Sequence, residues 1–171
     1  MSPAAAAAEP DDTGQLARLA IQLLTASGHT VAVAESLTGG LVSGALTSVA
    51  GASVVLRGGV VAYATDLKAA LLGVPAELLA RQGPVDPDVA ASMAAGVRRV
   101  LGATYGVATT GVAGPGPADG QPAGTVFIAV SGPTGGLGQG LQLRGDRQRI
   151  REETVRHALS LLVNVLREEP G

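Results

Sequence analysis

Apolar positions along this chain follow two periods, and the switches between them mark out its elements. Residues 13–27 carry Leu16, Leu19, Ala20, Leu23 and Leu24 at helical spacing, with Asp12 or Thr13 to cap the helix and Gly28 to end it. Val31 to Ala34 is a short continuous apolar run, read as a buried strand. Thr38 to Val49 returns to helical spacing through Leu41, Ala45, Leu46 and Val49, although its Gly and Ser content makes close packing a condition of its forming. Ser53 to Ala64 reads as a long strand with a bulge or bend at Gly58-Gly59. A short helix through Leu72 follows, capped by Thr65-Asp66 and closed by Gly73, then another over Pro75 to Arg81.

Asp86 and Pro87 read as the cap and first residue of a helix reaching about Leu101. Tyr105 to Thr110 is a buried strand that runs into the Gly/Pro loop Gly111 to Pro117. Two further strands, Gly124 to Val130 and an edge strand over Leu137 to Leu143, are joined by a link short enough for a hairpin. The last helix spans Asp146 to Arg167, with Ile150, Val155, Leu159, Leu162 and Val163 toward the core. Strand–helix alternation in the first two thirds implies parallel pairing with helices on both faces, and the hairpin adds one antiparallel member. The expected fold is therefore α/β: a single three-layer α/β/α domain over residues 13–168 with a mixed, mostly parallel sheet, preceded by a disordered tail over residues 1–12.

Composition narrows the chemistry. The chain is 46% hydrophobic and 15% charged with a net charge of -2, a globular balance without the basic footprint of a nucleic-acid binder. Cysteine is absent, which removes disulfides, thiolate catalysis and cysteine zinc sites. His29 and His157 stand in no ligand spacing, so no metal site is expected. No apolar run is long enough to cross a bilayer and the start lacks the pattern of a signal peptide, so a cytoplasmic protein is expected. The Ala- and Val-rich composition leaves self-association into a homo-oligomer open. Among eleven arginines there is one lysine, Lys68. An arginine holds its proton at any accessible pH, whereas a buried lysine can give it up.

Ligands of open α/β sheets bind beyond the carboxyl ends of the strands. Three segments fall there: Ser36-Leu37-Thr38-Gly39-Gly40, Tyr63 with Lys68 just beyond, and the loop Thr110 to Gly116. Ser36 between a strand and a helix suits a nucleophile, with backbone amides near Thr38, Gly39 and Gly40 for an oxyanion; a helix cap is the plainer alternative. No histidine is near, so the available base is Lys68, alone or sharing a proton with Tyr63. The loop lacks the phosphate-binding lysine of a P-loop, yet its glycines allow amides to approach a phosphate or ribose. Arg144, Arg147, Arg149 and Arg151 form the densest basic patch.

These motifs together resemble the CinA C-terminal domain family, the nicotinamide mononucleotide deamidases. The matching pieces, in order, are Ala34-Glu-Ser-Leu-Thr-Gly-Gly40, Thr47 to Ser53, Gly59-Val-Val-Ala-Tyr63 with Lys68, Leu72-Gly73-Val74, Gly83-Pro-Val-Asp-Pro, Thr110-Gly-Val-Ala-Gly-Pro115, Gly124-Thr-Val, Gly145-Asp-Arg147 and Ile150-Arg151. The resemblance implies a cytoplasmic amidohydrolase with no cofactor or metal, converting nicotinamide mononucleotide to nicotinic acid mononucleotide and ammonia. It places the nucleophile on Ser36 and its helpers on Tyr63 and Lys68. The substrate set expected around them is Glu35, Thr38, Gly39, Gly40, Thr110, Gly111, Gly114, Pro115, Gly116, Arg147 and Arg151. The expected partner is a pyridine mononucleotide, not nucleic acid or membrane. Leu37 stands where the family often has Cys, and Pro84 and Asp86 replace a common Ala and Ser. A non-catalytic nucleotide-binding module, or an amidase for another small carboxamide, remains an alternative.

Overall fold

The computed structural model describes residues 12–168. Of the expected tail, residues 1–11 lie outside the described residues, and Asp12 already opens the first helix. The elements are α1 (Asp12–Ser27), β1 (Val31–Glu35), α2 (Leu41–Thr47), β2 (Leu56–Val61), α3 (Thr65–Leu72), α4 (Ala76–Gln82), α5 (Pro87–Val100), β3 (Tyr105–Gly111), β4 (Thr125–Gly132), β5 (Gly135–Gln142) and α6 (Arg147–Glu168). They form one three-layer domain around a five-stranded sheet of order β2-β1-β3-β4-β5. β1 pairs in parallel with β2 and β3, while β3–β4 and β4–β5 are antiparallel, so β4 alone runs against the other four. This is the mixed, mostly parallel sheet expected. No helix among the described residues is long and apolar enough to cross a membrane.

The two faces of the sheet are made of different residues. On the face covered by α1, α2 and α6, the strands present Val31, Val33, Tyr105, Val107, Val126, Ile128 and Val130. On the other face they present Ala32, Ala34, Ala108 and Ala129, under Val89, Met93, Ala94 and Val97 of α5. Small strand residues let α5 sit close. A Cβ on Gly106 of β3 would run into the Ala94 carbonyl, and one on Gly96 of α5 would run into the Leu72 carbonyl at the end of α3. α5 is thereby wedged between the sheet and α3, and α3 carries Lys68.

Several boundaries differ from expectation for local reasons. The strand expected from Ser53 begins only at Leu56, because Ala52–Val54 forms a 3-10 turn. The bulge falls one residue before the expected Gly58-Gly59: Leu56 pairs with Val31 and Gly58 with Ala32, leaving Arg57 as the extra residue. The helix expected from Thr38 starts at Leu41, since Gly39 and Gly40 take left-handed φ of 57° and 105°. Its buried positions are Val42 and Leu46, while Leu41, expected inside, is 41% exposed. In α1 the buried stripe is Ala17, Ala20, Ile21 and Leu24, with Leu16, Leu19 and Leu23 at its margin. α3 is preceded by Ala64 without a side-chain cap, so Thr65 and Asp66 do not cap it. Asp86 does cap α5, accepting from the Asp88 and Val89 amides.

Gly96→Ala is expected to destabilise the domain by about 1–3 kcal/mol through overpacking. Gly44→Ala, in a helix with nothing within 4 Å of the added methyl, is expected to be neutral or to stabilise by up to about 1 kcal/mol. Urea midpoints of the two variants check this; equal midpoints would contradict the close seating of α5.

Candidate active site

The carboxyl ends of β1, β2 and β3 lie side by side, and the site is built there. Glu35 is fully buried at the end of β1. Its carboxylate accepts from the Val42 amide (2.8 Å), the Ser43 amide (3.0 Å) and the Ser43 hydroxyl (2.8 Å). A carboxylate at a helix start satisfies amides that have no partner within the helix and meets the positive end of its dipole. Glu35 thus holds α2 and does not line the pocket, in place of the substrate contact expected of it.

The turn that follows is fastened from two more sides. The Ser36 amide donates to the Thr109 carbonyl of β3 (3.1 Å), and the Thr38 and Thr109 hydroxyls are 2.8 Å apart. Arg151 of α6 donates Nε to the Leu37 carbonyl (2.9 Å) and NH2 to the Thr38 carbonyl (3.2 Å). Arg151 therefore braces the turn, and unlike Arg147 it does not line the pocket. The Gly39 amide donates to the Ser36 carbonyl (3.0 Å), which removes it as an oxyanion donor. Thr38, Gly39 and Gly40 shape the turn from outside the pocket, whereas Leu37 reaches the pocket wall and also packs into the core.

Lys68 meets this turn from α3. Side chains on a helix lean toward its N-terminus, so the amine reaches back past the first turn of α3. Lys68 is 1% exposed, and Nζ lies 3.0 Å from Ser36 Oγ, 2.8 Å from the Ala62 carbonyl and 3.4 Å from the Tyr63 carbonyl. Burial lowers its pKa from 10.5 to about 8, and the charge of Asp119 partly opposes that shift. The three oxygens suit both protonation states. An ammonium donates to all three. A neutral amine donates its two hydrogens to the carbonyls, which can only accept, and turns its lone pair to the Ser36 hydroxyl.

These residues line a cavity of about 180 Å³ with Tyr63, Thr65, Pro84, Val85, Thr110, Gly111, Gly114, Gly116, Asp119 and Arg147 on its walls. Pro115, joined to Gly114 by a cis peptide, stands outside the lining. Tyr63 is at the rim, 59% exposed. Its hydroxyl accepts from Arg147 NH2 (3.0 Å), so the phenol is bonded to arginine and only the Tyr63 carbonyl touches Lys68. That corrects the expected proton sharing. Arg147 also donates NH1 to the Gly114 carbonyl (2.8 Å), tying the Gly/Pro loop to α6. Thr110 donates its hydroxyl to the Pro84 carbonyl (2.7 Å), which draws the 83–86 loop against the pocket. Asp119, which no motif singled out, also faces the cavity; its only sequence signal is the turn-forming pair Asp119-Gly120.

A serine hydroxyl against a buried, pKa-lowered lysine, at the strand ends of an α/β/α domain, is a Ser–Lys pair. The CinA C-terminal domain model matches residues 13–166, and the chain belongs to that family. A CinA-like protein from Frankia casuarinae is 53% identical over 149 residues, covering 87% of this chain and 34% of the relative. One from Anaeromyxobacter dehalogenans is 50% identical over 154 residues, covering 90% and 38%. The chain thus spans a little over a third of the length of the curated relatives it matches. Among solved structures, competence/damage inducible protein CihA from Agrobacterium tumefaciens superposes with a TM-score of 0.88 at 39% identity, covering 98% of this chain and all of that one. A CinA superfamily protein from Escherichia coli gives 0.88 at 30% identity, with 94% of each chain covered.

The depressed lysine has a consequence for stability. Unfolded Lys68 keeps its proton up to about pH 10.5, whereas the folded protein releases it near 8. Between those values the unfolded state binds more protons, so stability rises with pH through that window and is held down below it. The melting temperature of wild type relative to Lys68→Met should climb from pH 8 to 10.5 in calorimetry. A difference that stays flat would show that the amine titrates normally.

Proposed function

We propose that this domain is a nicotinamide-nucleotide amidase, hydrolysing nicotinamide mononucleotide to nicotinic acid mononucleotide and ammonia. The observation that carries the reading is the 3.0 Å contact between the buried Lys68 amine and the Ser36 hydroxyl. Neutral Lys68 takes the proton as Ser36 Oγ bonds to the carboxamide carbon. The resulting lysine ammonium passes that proton to the amide nitrogen, the C–N bond breaks and ammonia leaves. Water then attacks the acyl-serine ester, giving a proton to Lys68, and the ester C–O bond breaks. Lys68 returns the proton to Ser36. With Gly39 occupied, the oxyanion is held by the amide of Leu37, the residue that follows the nucleophile.

The expected helper roles shift accordingly. Tyr63 orients Arg147 through its hydroxyl, and its carbonyl orients the Lys68 amine. Arg147 has five N–H groups and bonds two of them to Gly114 and Tyr63; the others are free to meet the nucleotide phosphate. Thr110, Gly111, Gly114 and Gly116 form the wall against the ring and ribose. The family membership supports the reading, and so does the fit of the depressed lysine to amide chemistry near neutral pH.

Ammonia release from nicotinamide mononucleotide, followed across variants and pH, tests it. Ser36→Ala and Lys68→Arg should each lower kcat by about three orders of magnitude or more while the folded structure persists. For wild type, kcat/KM should rise about tenfold per pH unit and level off above about 8, where free Lys68 is neutral. Arg147→Ala should raise KM by about tenfold or more through the lost phosphate contact. Turnover by a folded Ser36→Ala protein at the wild-type rate would sink the mechanism, and tight binding without turnover in wild type would favour a binding module.

A further inference from the structure

One charged group in the cavity has no part in the chemistry above. Ala118 and Gln121 exchange two backbone hydrogen bonds, of 3.0 and 2.9 Å, closing a two-residue hairpin at the cavity wall. Its central residues, Asp119 and Gly120, have φ of 51° and 73°, the left-handed pair of a tight primed turn. A non-glycine residue in that conformation is uncommon, and Asp tolerates it best along with Asn. The turn fixes Asp119 on the wall that also bears Ser36 and Lys68. Asp119 is the one carboxylate lining the cavity among the described residues, and it makes no salt bridge or hydrogen bond with them. The other charged or titratable side chains around Lys68 are Arg147 and Tyr63, which are bonded to each other, while Glu35 on the neighbouring strand end is bonded to α2.

We propose that Asp119 is a specificity-determining residue, whose carboxylate selects substrates that carry the carboxamide on a positively charged ring. The inference rests on the amidase reading and deepens it. A ribosylated pyridine nitrogen is formally cationic, whereas most small carboxamides are neutral, so one carboxylate without a salt bridge or hydrogen bond separates the two classes. The same contact bears on the base. In the empty cavity Asp119 favours the lysine ammonium. A cationic ring held by Asp119 offsets that carboxylate and adds its own positive charge near Lys68, and both effects favour the neutral amine. The charge that is selected thus also readies the group that takes the Ser36 proton.

The test uses nicotinamide mononucleotide and its reduced dihydro form, which carry the same ribose phosphate but a cationic and a neutral ring. By calorimetry, Ser36→Ala should bind the cationic form about fivefold to tenfold tighter, the range of a partly exposed charge pair. Adding Asp119→Asn should cut that preference to about twofold or less. In wild-type turnover the inflection of kcat against pH should lie below that of kcat/KM, because the first reports the occupied enzyme and the second the free one. Asp119→Asn should move the kcat/KM inflection to lower pH, which loss of loop support alone would not do. Equal binding of the two forms by Ser36→Ala, or a preference untouched by Asp119→Asn, overturns the proposal while wild-type ammonia release keeps the amidase reading. Failure of both forms to bind overturns both.

Discussion

The molecule turns on a primary amine taken out of water and set against a serine hydroxyl. Burying an ammonium is expensive, and Lys68 is tolerated because three oxygens surround it and because the group can shed its charge. Those oxygens are not incidental to the fold. Two are backbone carbonyls just beyond β2, and the third belongs to the turn just beyond β1. Parallel pairing of β1 with β2 brings these ends level. An antiparallel pair would set the end of one strand beside the start of the other and leave the amine unsatisfied. The parallel centre of the sheet is thus a requirement of the Ser36–Lys68 contact as well as of the packing.

Around that contact the structure puts charged side chains to work on the backbone. Glu35 and Arg151 are of opposite sign and come from opposite ends of the chain, yet both serve the same turn. Glu35 takes the amides at the start of α2, and Arg151 takes the carbonyls of Leu37 and Thr38. The turn is too rich in glycine to hold its own shape. Its geometry is imposed from outside, which keeps the Ser36 hydroxyl aimed at the lysine.

Much of this was legible beforehand. The order of elements, the single antiparallel strand, a bulge close to Gly58 and the caps at Asp86 and Gly73 all follow from local rules. Ser36 and Lys68 were legible because the chain has one lysine and no histidine near a strand end. What failed were inferences from a charge to a ligand. Arg151 looked like an anion contact, but a helix pattern does not reveal that the carbonyls of Leu37 and Thr38 lie beneath it. Glu35 looked like part of the site because sequence adjacency hides the direction of alternate strand side chains. Closeness in sequence suggests a pairing of Lys68 with the Tyr63 phenol, but the helix sends Lys68 back to the tyrosine carbonyl instead. Asp119 was missed because its place depends on the hairpin closed by Ala118 and Gln121 and on the docking of that hairpin over the β3 end.

The bond between Arg151 and Leu37 joins residues 114 positions apart. A ribosome making this chain releases the serine, the lysine and three of the five strands well before α6 emerges. Until then the serine turn lacks its brace and Tyr63 and the Gly/Pro loop lack Arg147. The growing chain therefore carries Ser36 and Lys68 without the Arg151 and Arg147 contacts until α6 is made. Both braces come from one helix, so the turn and the loop gain them together when α6 docks.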